Sequence, residues 1–229
     1  MITKLASALT RSFVLLAAVG FLLSPRPAFA DGVVFSNLGP GNSFNTSAGW
    51  AIAGPTSTFA TLIPGPESIA KSFTPSGNVD LSQILIPLGI SDGTNGVQVF
   101  LETSVGGLPG GVLDSWSVTG LSSTPTLEAL SAMGTQFLSG GVTYWVVVGP
   151  IASDTSARWM FNSTGDTSAF AVSHGSGWTL APVGGAPALE VTGSTVPEPS
   201  SLLLLGAGLL ACAWLKRRTV LLSPLRRPI

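Results

Sequence analysis

Two uncharged apolar runs, one near each end, divide this chain of 229 residues into a middle that must fold and two ends that need not belong to it. The first run, residues 12–23 (SFVLLAAVGFLL), follows Lys4 and Arg11. About a dozen apolar residues are too few to span a bilayer core comfortably, and a charged start with a short apolar centre is the pattern of a secretory leader. Pro25 and Pro27 then break the helix, and Ala28 and Ala30 put small side chains at the two positions that signal peptidase admits. The expectation is a signal peptide over residues 1–30, cut after Ala30.

The second run, residues 201–215 (SLLLLGAGLLACAWL), has a different setting. Val196-Pro197-Glu198-Pro199-Ser200 precedes it, and two prolines keep that stretch extended. Lys216, Arg217 and Arg218 close it. As a helix the run measures about 22 Å, and Trp214 with snorkelling basic side chains would lengthen its reach. A basic cluster after an apolar run retains that end in the cytoplasm and leaves the upstream domain outside. Residues 219–229 form a tail with a second basic pair, Arg226 and Arg227. Gly206 to Ala211 fits the loose G-x-G-x-x-A nucleotide pattern, but no strand precedes it, so small residues for close helix contact are the better reading.

Pro197-Glu198-Pro199, the apolar run and Lys216-Arg217-Arg218 together resemble the PEP-CTERM sorting signal. The resemblance implies processing by exosortase, a membrane protease-transpeptidase that cuts near the Pro-Glu-Pro motif, in a setting of exopolysaccharide production. It makes residues 196–218 the sorting segment. The expected partners are signal peptidase and exosortase, with the membrane before processing and polysaccharide afterwards. The expected location is transient inner-membrane anchoring, then the cell surface or the medium.

Charge narrows the partners further. Between residues 31 and 215 only Lys71 and Arg158 are basic, against eleven acids, a formal charge of −9. Such a surface repels phosphate backbones, which argues against nucleic acid. The lone cysteine, Cys212, lies in the second apolar run, so packing without disulfides must hold the middle.

From residue 31 to 195 the apolar period is two, which predicts an all-β fold. Ile84, Ile86, Leu88 and Ile90 alternate, with Pro87 marking an edge or bulge. Val97, Val99 and Leu101 alternate next, and the turn formers at 91–96 between these runs predict a hairpin. Residues 142–148 (VTYWVVV) read as a central strand covered on both faces. Further strands are expected at 33–38, 68–73, 157–161, 168–172 and 188–191, and a helical turn at 127–132 (LEALSA). Roughly ten short strands predict an antiparallel β-sandwich of jelly-roll type over residues 31–195, flanked by the signal helix and a transmembrane-like helix. Ala70-Lys71-Ser72-Phe73-Thr74, Gly107-Leu108-Pro109-Gly110 and the strand entry at 140–145 are similar to choice-of-anchor domains of type R. That resemblance implies a secreted β domain without catalytic residues.

Catalytic chemistry is sparse. His174 is the only histidine and no nucleophile-elbow pattern accompanies it. One histidine and no exported cysteine exclude ordinary zinc sites from this chain alone. Asp114, Glu128, Asp154 and Asp166 are the acids to consider for glycoside hydrolysis, with solvated loops as the plainer reading. No cofactor is expected. Calcium is the one ion that Asp92, Asn95, Asp154 or Asp166 could help hold, although turn formation accounts for Asp92 and Asn95. Asn45 and Asn162 begin glycan sequons and read here as turns. Trp50, Trp116, Trp159 and Trp178 are the candidate ligand-binding residues, since exposed indoles stack on sugar rings, while Trp145 reads as core. The expected function is a non-catalytic, structural or adhesive surface or matrix protein, the alternative a carbohydrate-binding module, and the third reading a secreted hydrolase.

Overall fold

The computed structural model describes residues 31–195 apart from 64, 182 and 183, together with the isolated positions Gly206 and Gly208. Thirteen strands account for most of it: β1 Gly32–Ser36, β2 Phe44–Ala53, β3 Ser68–Phe73, β4 Val79–Asp92, β5 Gly96–Val105, β6 Leu108–Thr119, β7 Thr126–Ser131, β8 Phe137–Leu138, β9 Tyr144–Pro150, β10 Ser156–Asn162, β11 Phe170–Ser173, β12 Trp178–Leu180 and β13 Glu190–Thr195. They form two antiparallel sheets. The seven-stranded sheet runs β1-β13-β4-β10-β2, with β7 and β8 on the other side of β4. The six-stranded sheet runs β12-β11-β3-β9-β5-β6. The expected all-β sandwich is the fold. Among the described residues no helix is long and apolar enough to cross a membrane, and both expected terminal helices lie outside those residues.

Period-two alternation builds the core. Ile84, Ile86 and Leu88 of β4 meet Val97, Val99 and Leu101 of β5 and Val146 and Val148 of β9 in one cluster shared by both sheets. β9 lies between β3 and β5 and is buried on both faces, as its unbroken apolar run predicts. Its outward residues Trp145 and Val147 gather with Ala70 and Ala171 in a second, smaller cluster, over which Phe100, Leu108 and Trp178 pack.

Several local expectations are corrected. Residues 91–96 are not a hairpin: β4 ends in one sheet and β5 begins in the other, so the segment is a corner between sheets. Asp92 and Asn95 serve that corner. Asp92 Oδ1 accepts from the Gly93 N–H at 2.8 Å, and the Asn95 side chain both donates to Leu121 O at 2.9 Å and accepts from the Leu121 N–H at 2.7 Å. The hairpin sits one strand later, where Gly106 and Gly107 at φ 61° and 81° join β5 to β6. Two positive-φ glycines suit a two-residue turn whose twist matches the strands. Residues 127–132 are not a helical turn, because β7 pairs with β4 from Leu88↔Thr126 to Gln83↔Ser131.

Pro87 belongs to an inner strand rather than an edge. On the side of β4 away from β7, the partner changes from β13, which ends at Leu85↔Glu190, to β10, which begins at Leu88↔Trp159. The proline occupies the gap between two ladders, where a missing N–H costs little. β2 and β6 were not anticipated, since their sequences (FNTSAGWAIA and LPGGVLDSWSVT) interrupt the alternation with glycine and polar residues.

Candidate functional site

The sorting motif begins where the sandwich ends. β13 is held between β1 and β4, and its last residue, Thr195, is paired with Val79. Two residues later the chain reaches Pro197, Glu198 and Pro199. These, with Lys216, Arg217 and Arg218, lie outside the described residues, as do Ala28 and Ala30 of the expected leader cleavage site. A cut near the prolines leaves every described strand intact.

The four candidate tryptophans do not share a surface. Trp159 of β10 is fully buried, and its ring N–H donates to Ala188 O at 2.7 Å. Trp116 of β6 is buried, and its ring donates to Ser131 O at 2.7 Å across the gap to β7. These two are corrected from ligand stacking to structural anchors, since a buried indole with a satisfied N–H has no face to offer. Trp50 is half-buried against Phe161 and Phe170, with its N–H on Gly185 O. Trp178 alone stands on the outer face of the six-stranded sheet, half-buried over the smaller cluster. The register places Leu180, Ala171, Ala70, Val147, Phe100 and Ser115 in one row across all six strands. A neighbouring row holds Ser72, Trp145, Glu102 and Val112. Glu102 is 8% exposed, and burial pushes its carboxyl above the usual range.

The most elaborate polar cluster joins Asp166, one of the acids considered above for hydrolysis and calcium, to Lys71 and Asn37, to which the sequence assigned no chemistry. Lys71 sits on β3 between Ile69 and Phe73, so alternation turns it inward, and its side chain is fully buried. Nζ lies 3.4 Å from Asp166 Oδ2 and 5.2 Å from the centre of the Phe35 ring, and it donates to Ser168 Oγ. Burial lowers the Lys71 pKa, against the pull of Asp166. For Asp166 burial acts upward, but hydrogen bonds from Ser168 and Asn37 and the charge of Lys71 hold it at about 2. Asn37, 3% exposed, completes the group. Its Nδ2 donates to Asp166 Oδ2 at 2.8 Å and to Pro187 O at 2.9 Å, and its Oδ1 accepts from the Leu189 N–H at 2.6 Å. Asn162 donates to Asp166 O and Ala186 O, which ties β10 to the same cluster. Asn162 is thus a buried structural residue, and Asn45 caps a turn by accepting from the Ser47 and Ala48 N–H groups.

The remaining acids stay apart. Asp114 accepts from the Ser115 and Met133 N–H groups, and Glu128 accepts from Thr126. Asp154 is exposed, and a hydrogen bond from Thr94 lowers its pKa. His174 faces Glu67 at 3.6 Å. Among the described residues no group of three or more His, Cys, Asp or Glu side chains is placed to hold a metal ion.

Fold and tail together define a class: a two-sheet antiparallel β domain whose last strand leads into a sorting segment. A family model described as the PEP-CTERM protein-sorting motif matches residues 195–218. The chain therefore carries a PEP-CTERM sorting motif at residues 195–218, which supports export and sorting through exosortase. No curated protein matches it.

Proposed function

We propose that this protein is a non-catalytic building element of the cell surface or extracellular matrix, delivered by exosortase into an exopolysaccharide setting. The sorting motif that starts at the last residue of β13 carries this reading. Its placement means that processing yields the sandwich alone. The resemblance to type R choice-of-anchor domains and the scattered acids fit the same account, in which signal peptidase removes residues 1–30. Deleting residues 197–218 in the native host and fractionating the cells tests it. Surface or matrix material should disappear from its normal fraction, and an unchanged distribution would reject the proposal.

A second reading is favoured by one observation, the outer face of the six-stranded sheet. Trp178, Phe100 and Leu180 present apolar surface beside Ser and Gln side chains, the mixture that stacks on and hydrogen-bonds to sugar rings. Domain charge directs such binding toward neutral or amino-bearing glycans rather than uronic acid polymers. Calorimetry with the host polysaccharide against the wild type and Trp178→Ala separates the readings. Heat that is lost in the variant supports a carbohydrate module, and no heat with the wild type removes it.

A further inference from the structure

The Asp166 carboxylate brings together an amine and a primary amide that are both out of water. Lys71 Nζ and Asn37 Nδ2 meet at the same oxygen, Oδ2, at 3.4 Å and 2.8 Å. The two residues belong to opposite sheets: Lys71 is on β3, and Asn37 directly follows β1. We propose that Lys71 and Asn37 join in an intramolecular isopeptide bond, formed once after folding with Asp166 as the proton carrier.

Each requirement of the step has a group in place. The nucleophile must be a neutral amine, and burial of the Lys71 side chain disfavours the ammonium form against the pull of Asp166. The carbonyl must be polarised, and the Leu189 N–H donates to Asn37 Oδ1 at 2.6 Å, where negative charge would develop. That bond and the donation from Nδ2 to Pro187 O also fix which way the amide points. Asp166 takes a proton from the Lys71 ammonium and Nζ attacks Asn37 Cγ. Asp166 passes that proton to Nδ2 and takes the second proton from Nζ. The bond to Nδ2 breaks as the new C–N bond to lysine is completed, and the ammonia that leaves carries off the second proton as ammonium. Lysine and asparagine side chains become one secondary amide, one ammonia is lost, and nothing is oxidised or reduced. The low pKa of Asp166 makes the proton-transferred state a minor one, which slows the step, but a structural bond needs a single turnover.

The bond would also supply what the composition lacks. The exported part contains no cysteine, and a covalent link between β3 and the end of β1 would clasp the two sheets as a disulfide does elsewhere.

Proteolytic digestion and tandem mass spectrometry of the purified full chain test this directly. The expected product is a branched peptide that joins the Asn37 and Lys71 fragments and weighs their sum less one ammonia. Asn37→Asp changes the leaving group, so its branched peptide must show loss of water relative to its own sequence. Asp166→Asn should leave both fragments unlinked. Should that variant misfold, the wild-type digest still decides. Free Asn37 and Lys71 fragments from folded wild type would overturn the proposal, and so would a branch at Asp166.

Discussion

Glu67 and His174 face each other at 3.6 Å, the glutamate almost wholly buried ahead of β3 and the histidine half-exposed after β11. Glu67 also pairs with Ala53 through both backbone hydrogen bonds, so its side chain sits where β2 and β3 come together. Burial raises its carboxyl pKa, and His174 is the one charge drawing it back. A raised folded-state pKa contributes stability that is fully present below the unfolded value and is lost as pH rises through the folded value.

Removing His174 should therefore steepen the pH dependence. In His174→Ala the Glu67 carboxyl rises further, and the variant loses more stability than the wild type between acidic and neutral pH. Because His174 is half-exposed and solvent screens the pair, the extra loss at neutral pH should stay below about 1 kcal/mol. Thermal melts of both proteins across that range check this, and parallel curves would contradict it.

Glu102 predicts a gain. Burial alone raises its carboxyl, beside Trp145 on the outer face of the six-stranded sheet. Glu102→Gln keeps the shape and removes the buried charge, so it should stabilise by about 1 kcal/mol at neutral pH. The advantage should shrink as pH falls through the raised pKa, where the wild type protonates. Denaturant midpoints at neutral and acidic pH measure it.

Gly93 marks the corner that the sequence pattern presented as a hairpin. Its φ is 77°, and a Cβ there would come to 1.9 Å from Asp154 O. Gly93→Ala meets both a disfavoured backbone and a main-chain clash, for a loss of about 2 kcal/mol or more. Gly77→Ala is the control, since no atom lies within 4 Å of its added Cβ. Equal midpoints for the two variants would refute the corner.

The two kinds of tryptophan should separate in stability measurements. Trp159→Phe removes the ring N–H from Ala188 O in a fully buried setting and should cost about 1 to 3 kcal/mol. Trp178→Phe, on a half-buried edge strand, should cost less than about 1 kcal/mol. Chemical denaturation of both variants provides the comparison.

These cases also mark what was legible in advance. Strands with clean alternation or unbroken apolar runs, such as those holding Ile84, Val99 and Val146, were readable, because side-chain period alone assigns them. The partner of each strand was not. Turn formers at 91–96 look alike whether the chain folds back beside itself or crosses to the other sheet, and the difference lies in distant pairings of β5 with β6 and β9. Exposure of individual tryptophans was equally hidden, since Trp159 and Trp178 both sit beside polar or glycine residues. For Lys71 a signal existed: it shares the inward parity of Ile69 and Phe73, and a buried cation demands an acid. Nothing local identifies that acid as Asp166, which topology delivers from beyond β10. The sorting tail was the clearest feature because it is linear, with its three parts in order along the chain.

The central claim, export followed by processing at both ends, is tested most directly by the intact mass and terminal sequences of the protein isolated from its native host. The account predicts a chain that starts at Asp31 and ends near Pro197 to Pro199, recovered from the surface, matrix or medium. A soluble cytosolic chain that still carries residues 1–30 and 200–229 would contradict it.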